Sequence, residues 1–251
     1  MYIINASAAT ILSTLQRQFQ ICFVDKDRWK QMLSGLGNTL IITVFALIIG
    51  VVIGVLVAAV RSSFDKNEEQ MKFKGGPGYA VMKFINGICK IYLTVIRGTP
   101  VVVQLLICYF IIFKSSSNGV MVAIFAFGVN SGAYVAEIFR GGIMSIDPGQ
   151  FEAGRSIGFN YFQTMRYIII PQMFKAVLPT LLNEFITLLK ETSVAGYVAV
   201  TDLTKAGNSI AGATYQYYMP LLTVAAIYLI MVMGLSGLFG KLERRLRKNE
   251  R

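Results

Sequence analysis

Long stretches of this sequence contain no charged residue, and their length constrains the fold more than any other feature. Residues 31–60, 115–136 and 206–240 contain no Asp, Glu, Lys or Arg. Because about 20 mainly apolar residues cross a bilayer as a helix, each stretch predicts one membrane-spanning helix. Two further spans are predicted around 98–113, which is short, and in 172–191, which contains charged residues. With 55% hydrophobic residues, the chain is predicted to be an all-α integral membrane protein.

A polar and amphipathic island at 141–171 interrupts the apolar sequence. Asp147 followed by Pro148 is typical of a helix start, and Gln150 at the third helical position completes a pattern similar to a capping box. Gly158 lies where a left-handed residue would end this helix after about three turns. The first half of the island therefore predicts a short helix that ends in a glycine elbow.

The second half of the island predicts another short helix. Asn160 is expected to start it, with Gln163 at its third position, and Pro171 is expected to mark the next boundary. The apolar residues of the island follow helical spacing, which predicts one face that could lie in a groove of another protein. These residues are Phe151, Gly154, Ile157, Phe162, Met165 and Ile169.

The spacing of five residues in the island is more specific than its amphipathic pattern. They are Glu152, Ala153, Gly158, Ile168 and Pro171. Their arrangement resembles the E-A-A-x3-G-x9-I-x-L-P coupling loop in the membrane subunits of bacterial ATP-binding-cassette importers. Gly154 stands where that pattern has a second Ala, and Ile170 stands where it has Leu. The resemblance implies that the five residues and Gly154 convert ATP hydrolysis in a partner protein into movement of the membrane helices.

The resemblance extends over about residues 35–240 and narrows to the polar amino-acid uptake permeases, of the histidine, glutamine and arginine type. Its segments are GLGNTLIITVFALIIGVVIGVLVAAVR at 35–61, RGTPVVVQL at 97–105, GAYVAEIFRGGI at 132–143 and NEFITLLKETSVAG at 183–196. It implies a helical bundle of about five transmembrane helices with a cytoplasmic coupling helix. It also implies a second permease copy or a homologous permease, two ATPase subunits that bind ATP and Mg, an extracellular solute-binding protein and an amino-acid substrate. No cofactor is expected in this chain.

The distribution of basic residues predicts the orientation in a bacterial plasma membrane. Five spans, at about 34–60, 85–113, 119–140, 172–191 and 216–239, place the N-terminus outside if the island is cytoplasmic. The segments 61–97, 140–175 and 241–251 then lie inside with seven, four and six Lys or Arg, and the outside segments contain seven in all. Cytoplasmic segments of membrane proteins carry the excess of basic residues, so the charges support an external N-terminus and a cytoplasmic C-terminus.

The predicted organisation is one membrane domain with short flanking segments. Residues 1–30 are expected to be an extracytoplasmic or interfacial segment, 31–240 the permease domain with its coupling loop at 141–171, and 241–251 a basic cytoplasmic tail. The connection at 64–78 is longer than is usual in the resembled family and is expected to be mobile. The G-x-x-x-G formed by Gly50 and Gly54 permits close helix packing. It fits a dimer contact, but small residues are common in any membrane bundle, so ordinary packing is the favoured interpretation.

The second span is predicted to be broken at 98–100. A helix that begins with Thr99 as N-cap and Pro100 at its first position reaches only about 22 Å to residue 113, too short for about 30 Å of hydrocarbon. The span must therefore begin near Ile85. Broken helices can hold polar solutes, so Arg97, Gly98, Thr99, Pro100 and Gln104 are candidates for the substrate pathway. The alternative is a packing kink with Arg97 extended toward the membrane surface.

Glu184 lies within the fourth predicted span, where a charge costs on the order of 3 kcal/mol unless it faces protein or water. It could bind the substrate ammonium group, or it could form an interhelical pair with Arg97 or Lys190. A scaffold role, or recognition of the part that all amino acids share, is favoured because the resembled family carries several amino acids on this pattern. Tyr134 and Asn183 are further pathway candidates, and Glu137 is interpreted as structural.

Several kinds of chemistry are excluded or disfavoured by composition. The chain contains no histidine, which removes His-dependent triads and most zinc sites. Cys22, Cys89 and Cys108 have no metal-like spacing, so they are interpreted as apolar fillers and no metal site is expected. The glycine-rich sequence at 75–78 lacks the Lys-Ser/Thr of a phosphate-binding loop. ATP hydrolysis is therefore expected in a separate subunit, and this chain is not expected to be an enzyme.

The sequence thus favours the transmembrane permease subunit of an ATP-driven amino-acid importer. The alternative is an ion-coupled secondary amino-acid carrier in which Glu184 and Arg97 couple the ion. Such carriers are commonly built from inverted repeats, and none is visible here. A membrane scaffold or sensor without transport is a second alternative. The sequence does not identify the amino acid carried.

Overall fold

The computed structural model describes residues 13–248, which are helical almost throughout and contain no strand. Besides the helical residues 13–19, nine α-helices lie in this part of the chain and are joined by short turns and by 3-10 and π segments. They are α1 Arg28–Lys74, α2 Pro77–Gly98, α3 Val101–Ile107, α4 Gly119–Met144, α5 Pro148–Ser156, α6 Tyr161–Thr164, α7 Ile170–Glu191, α8 Leu203–Thr214 and α9 Tyr218–Lys248. The predicted all-α membrane fold is confirmed.

Four helical stretches are long and apolar enough to cross a membrane: Ser13–Lys66, Pro77–Gly98, Gly119–Met144 and Tyr218–Leu246. The fourth predicted span, at 172–191, lies in α7, which is as long as α2, with 22 residues. Its hydropathy is lower because Lys175, Asn183 and Glu184 interrupt it. Its apolar side, which includes Val177 and Leu188, is nevertheless buried in the bundle. α7 therefore belongs to the bundle although it is not among the four candidate spans.

α1 is much longer than its predicted span. Its 47 residues extend about 70 Å, about twice the thickness of the hydrocarbon core. Residues 64–74 continue the helix, so the expected mobile connection at 64–78 is wrong except at its end. Helix breakers first occur at Gly75 and Gly76, whose φ angles are +61° and +90°, and α2 begins at Pro77. Charged residues alone do not end a helix that lies outside the membrane.

The predicted break in the second span is confirmed, with a different cap. α2 ends at Gly98, and Thr99 is extended, with φ −122° and ψ 146°. Pro100, rather than Thr99, is the N-cap of α3. A residue before proline is disfavoured in the helical region, which explains why Thr99 belongs to neither helix. The span also begins at Pro77 rather than near Ile85.

α4 is the central helix of the bundle, and most of its residues are buried. It lies close to α1 because glycines on each helix face side chains of the other. A Cβ at Gly50 would lie 3.1 Å from Ser131, one at Gly54 would lie 2.5 Å from Val135, and one at Gly128 would lie 2.8 Å from Ile49. The G-x-x-x-G of α1 therefore permits close packing against α4 within this chain.

The structure describes part of each predicted flanking segment. Residues 13–27 form helical turns that pack Cys22 and Phe23 against α8 and α9. Residues 1–12 of the predicted 1–30 segment and residues 249–251 of the predicted tail lie outside the described residues. Within 241–248 the basic tail continues α9 as a helix.

Candidate coupling loop and transport pathway

The first helix of the island is α5, and its start is as predicted in its main features. The carboxylate of Asp147 accepts a hydrogen bond of 2.7 Å from the backbone N–H of Gly149, and Pro148 occupies the first turn. The expected return bond from Gln150 is replaced by another contact. The Gln150 side-chain oxygen accepts from the side-chain amide of Gln172, on α7, at 3.2 Å. The first turn of α5 is thereby attached to the first turn of α7.

Gly158 ends α5 in the left-handed conformation that its position predicts, with φ +87°. Its N–H donates to the carbonyl of Arg155 at 2.9 Å, and the N–H of Phe159 donates to the carbonyl of Gly154 at 3.0 Å. These bonds satisfy carbonyls that would otherwise be unpaired at the helix end. A Cβ at Gly158 would meet no atom within 4 Å. The requirement for glycine is therefore one of backbone conformation.

α6 begins with the predicted capping box. The side chain of Asn160 accepts from the N–H of Gln163, and the side chain of Gln163 accepts from the N–H of Asn160, both at 2.9 Å. The expected boundary at Pro171 is confirmed, because α7 begins at Ile170. The boundary is a change of helix type, since a π segment, Met165–Ile169, continues the helical path into α7. Pro171 lies in the first turn of α7, where the missing N–H is tolerated. The loop is thus joined to α7 without a break.

The six coupling residues do not share one surface. Glu152, Ala153, Gly158 and Pro171 are exposed, and Ile168 is half-buried. Gly154 is buried, and a Cβ there would lie 2.7 Å from Thr164, on α6. This close contact explains why glycine replaces the second alanine of the pattern.

The predicted continuous apolar face of the island is wrong. Gly154 and Ile169 face inward, whereas Ile157 is 66% exposed and Phe162 is 81% exposed. The elbow at Gly158 turns α6 relative to α5, so helical spacing does not carry across it. Two apolar side chains, one on each side of the elbow, are left facing outward.

Gln104 closes the break between α2 and α3. Its side-chain amide donates to the carbonyl of Ile96 and to the hydroxyl of Thr99, each at 2.7 Å. Its side-chain oxygen accepts from the amide of Asn130, on α4, at 2.9 Å. The Ile96 carbonyl, whose helical partner would be the N–H that Pro100 lacks, is therefore bonded within the chain. Asn130 is buried and was not a sequence candidate, because nothing in its local sequence indicates the contact.

Arg97 belongs to a chain of ion pairs. Its guanidinium lies 3.8 Å from the carboxylate of Glu137 and over the ring of Tyr134, 5.7 Å from the centroid. Glu137 also pairs with Arg140 at 3.2 Å, as its position one turn away predicts, and Arg140 pairs with Asp65 at 3.3 Å. The suggested pair between Arg97 and Glu184 is not formed.

Glu184 accepts a hydrogen bond of 2.8 Å from the hydroxyl of Ser131, on α4. Among the residues whose side chains the structure describes, it forms no ion pair within 4 Å, so the suggested pair with Lys190 is not formed either. Ser131 is fully buried and is a second contact that local sequence did not indicate.

A cavity of about 520 Å³ lies between α4 and α7. It brings together three of the eight pathway candidates, Arg97, Tyr134 and Glu184, with Glu137 and Thr180 also in its wall. Gly98, Thr99, Pro100, Gln104 and Asn183 are not part of its lining. The wall offers a guanidinium and two carboxylates, which are the groups that bind a carboxylate and an ammonium group.

A second cavity, of about 390 Å³, lies beside the start of α8 and includes Asp202. Asp202 is fully buried and caps α8 by accepting from the N–H groups of Thr204 at 2.8 Å and Lys205 at 3.3 Å. Burial raises the pKa of this carboxyl above its ordinary value, and the backbone hydrogen bonds partly oppose the shift. The bonds identify Asp202 as a structural cap of the loop that precedes α8.

Residues 76–248 match the family described as binding-protein-dependent transport system inner membrane component. The chain belongs to this family. It is 34% identical over 222 residues to an arginine transport system permease protein of Bacillus subtilis, covering 87% of this chain and 94% of the relative. It is also 34% identical over 221 residues to the glutamine transport system permease protein of Escherichia coli K12, covering 86% and 93%.

The fold of this chain is similar to that of solved transporter structures. A crystal structure of an amino acid ABC transporter with histidines superposes with a TM-score of 0.74, at 36% identity, over 93% of this chain and 97% of that chain. The methionine ABC transporter MetNI, in inward-facing conformations, has a TM-score of 0.71 at 19% identity and therefore shows a shared fold alone. The matched family region begins at residue 76, so α1 lies before it.

Proposed function

We propose that this chain is the membrane-spanning permease subunit of an ATP-driven importer for amino acids. The observation that carries the proposal is the coupling loop: a capped helix α5, a left-handed Gly158 and a capping box at Asn160, joined without a break to α7. A force on α5 would reach α7 through this path and through the contact between Gln150 and Gln172. The family and its amino-acid permease relatives support the same function.

The proposed partners follow from this function. Two ATPase subunits bind ATP and Mg and each receives a coupling loop, since the permease acts as a dimer with a second copy or with a homologous permease. An extracellular solute-binding protein delivers the substrate. The exposed side chains of Ile157 and Phe162 support a docked partner at the loop, because aromatic and aliphatic anchors commonly fill pockets at interfaces. The chain itself performs no hydrolysis.

The proposed substrate is an amino acid that passes the cavity between α4 and α7. Glu184 is held by the hydroxyl of Ser131, and within the described side chains it has no cation within 4 Å. Its charge is therefore suited to the ammonium group, while Arg97 suits the carboxylate. Of the two roles that the sequence favoured, this assignment is recognition of the part that all amino acids share. The charged partner suggested for the scaffold role, Arg97 or Lys190, is not paired with Glu184.

The proposed orientation places the N-terminus outside and the C-terminus in the cytoplasm of a bacterial plasma membrane. The distribution of Lys and Arg supports it. The loop at 145–169 then lies on the same side as the end of α1 near Lys74, so that both are accessible to a cytoplasmic ATPase.

The test is uptake of labelled amino acids into proteoliposomes that contain the chain with its ATPase and binding protein. Uptake that requires ATP and binding protein, and that persists when ionophores collapse the ion gradients, supports the importer. Uptake by the chain without the ATPase, abolished by ionophores, would instead identify an ion-coupled carrier. Substrate binding without uptake under either condition would identify a sensor or scaffold.

A further inference from the structure

The end of α1 beyond the predicted membrane span contacts two functional regions from neighbouring residues. Asp65 and Lys66 lie in the segment that the sequence indicated to be a mobile connection, and the structure places both in continuous helix. Successive residues in a helix point about 100° apart, so these two side chains can reach different elements. Asp65 meets α4, and Lys66 meets α5.

Lys66 contacts the coupling helix directly. Its ammonium nitrogen lies 3.6 Å from the centroid of the Phe151 ring, within the range of a cation–π interaction. Phe151 immediately precedes Glu152, the first residue of the coupling pattern. Both residues line a cavity of about 330 Å³ between α1 and the loop, together with Arg155 and Tyr161. The cation–π contact thus bridges α1 and α5 beside a space that leaves them free to shift.

Asp65 begins a row of alternating charges that ends at the proposed substrate cavity. Its carboxylate lies 3.3 Å from Arg140, Arg140 lies 3.2 Å from Glu137, and Glu137 lies 3.8 Å from Arg97. Arg97 and Glu137 both line the cavity that contains Glu184. Arg140 is shared between two carboxylates, so its position depends on how near Asp65 remains.

The helical turn that contains Asp65 and Lys66 also packs against α2. Phe64 is 4% exposed, and its ring stacks on Tyr79, near the start of α2, with centroids 6.4 Å apart. Movement of this turn therefore carries Asp65 and Lys66 together. If Asp65 withdraws from Arg140, the guanidinium is left to Glu137, and Glu137 is then less available to Arg97.

We propose that Asp65 and Lys66 are positioning residues that connect the coupling helix to the substrate cavity through α1. Displacement of α5 moves Lys66 through Phe151, and Asp65 then redistributes the pairing of Arg140, Glu137 and Arg97 at the cavity wall. This proposal rests on the importer function, and it adds a route through α1 to the direct path through α6 and α7.

The experiment compares variants in the complete importer, reconstituted with ATPase and binding protein. The measured quantity is the ratio of hydrolysis stimulated by loaded binding protein to basal hydrolysis. Lys66→Met and Asp65→Asn are each expected to lower this ratio about fivefold, which is about 1 kcal/mol converted at 1.4 kcal/mol per tenfold. Phe151→Leu should lower it similarly, and the Lys66→Met/Phe151→Leu double variant should be no lower than either single variant, because all three lose the same contact.

Matched controls remove charges further along the same exposed end of α1. Lys72→Met and Glu69→Gln, at exposed positions, should leave the ratio unchanged. Lys66→Arg retains a cation over the ring and should restore most of the ratio that Lys66→Met loses. The thermal midpoint and the amount of assembled complex should be the same for all of these variants, which separates a positioning role from a structural one.

Two outcomes in assembled complexes overturn the proposal. One is a wild-type ratio in assembled Lys66→Met and Asp65→Asn; the other is an equal loss in the Lys72→Met and Glu69→Gln controls. If either test variant fails to assemble while its controls assemble, the residues are structural and the proposal is also wrong. Failure of the importer function is distinguishable, because the unmodified chain would then show no stimulation and no ATP-driven uptake.

Discussion

The hydroxyl of Ser131 on α4 donates a hydrogen bond of 2.8 Å to the carboxylate of Glu184 on α7. A hydroxyl orients a carboxylate without neutralising its charge, so the charge remains available to a cationic ligand in the adjoining cavity. The bond also joins the central helix to the helix that continues from the coupling loop. The proposed substrate site is thus built across the two helices whose relative position the loop would change.

Glu184→Gln should abolish or strongly reduce uptake while leaving assembly intact. Gln can still accept from Ser131 but lacks the charge, and a charge-assisted hydrogen bond contributes about 1.5–3 kcal/mol. We expect uptake per assembled complex to fall tenfold or more. Ser131→Ala keeps the charge of Glu184 and removes the hydrogen bond that orients its carboxylate, so it should reduce uptake less. A Glu184→Gln complex that assembles poorly but transports normally would restore the scaffold interpretation.

Gly158→Val should uncouple the loop. The left-handed φ of +87° is unfavourable for a β-branched residue and should cost about 1–3 kcal/mol, although a Cβ there meets no atom. The variant should insert into the membrane, with reduced stimulation of the ATPase by loaded binding protein. Gly158→Asn is the control, since Asn tolerates this backbone region, and it should retain most of the stimulation. Normal stimulation with Val would contradict the role given to the elbow.

Gln104 should matter for stability because it bonds the groups exposed by the break after Gly98. Gln104→Leu leaves the amide of Asn130 and the carbonyl of Ile96 without this partner, which should destabilise the fold by about 1–3 kcal/mol. The measurement is the thermal midpoint in detergent. Asn130→Val alone should also lower the midpoint, and the double variant should lose less than the two singles together. Strictly additive losses would show that the two side chains do not act as a pair.

The proposed orientation predicts which residues react from outside the cell. Ser117→Cys, in the exposed turn before α4, should react with a membrane-impermeant maleimide in intact cells. Lys72→Cys, at the end of α1, should react only after permeabilisation. Labelling of the unmodified chain measures the background reaction of its own cysteines, Cys22, Cys89 and Cys108. Labelling of Lys72→Cys in intact cells, with Ser117→Cys protected, would reverse the topology.

Local chemistry determined which parts of the fold and of the coupling loop were predictable from sequence. The helix caps at Asp147 and at Asn160–Gln163, and the elbow at Gly158, depend on backbone groups within a few residues. The sequence positions of these residues were therefore enough to predict them. Pro171 marks the start of α7 as predicted, because proline is tolerated in the first turn of a helix. The sequence did not indicate that the π segment before it makes the helical path continuous.

Tertiary contacts were not predictable in the same way. Ser131 and Glu184 are 53 residues apart, and Asn130 and Gln104 are 26 apart, so each pairing depends on how the helices pack. The end of α1 was misjudged for a different reason. Its charges are typical of a surface loop, but a helix outside the membrane carries charges equally well, and the first glycines that break it are Gly75 and Gly76.

The loop around Gly158 is the proposed contact with the ATPase, and site-specific cross-linking tests this contact most directly. A photo-reactive phenylalanine replaces Ala153, which is exposed on α5, or Ser117 at the opposite end of the bundle as the control. In the reconstituted importer, irradiation should attach position 153 to the ATPase subunit and should not attach position 117. Absence of a cross-link from position 153 in a complex that transports normally, or equal cross-linking from both positions, would contradict the account.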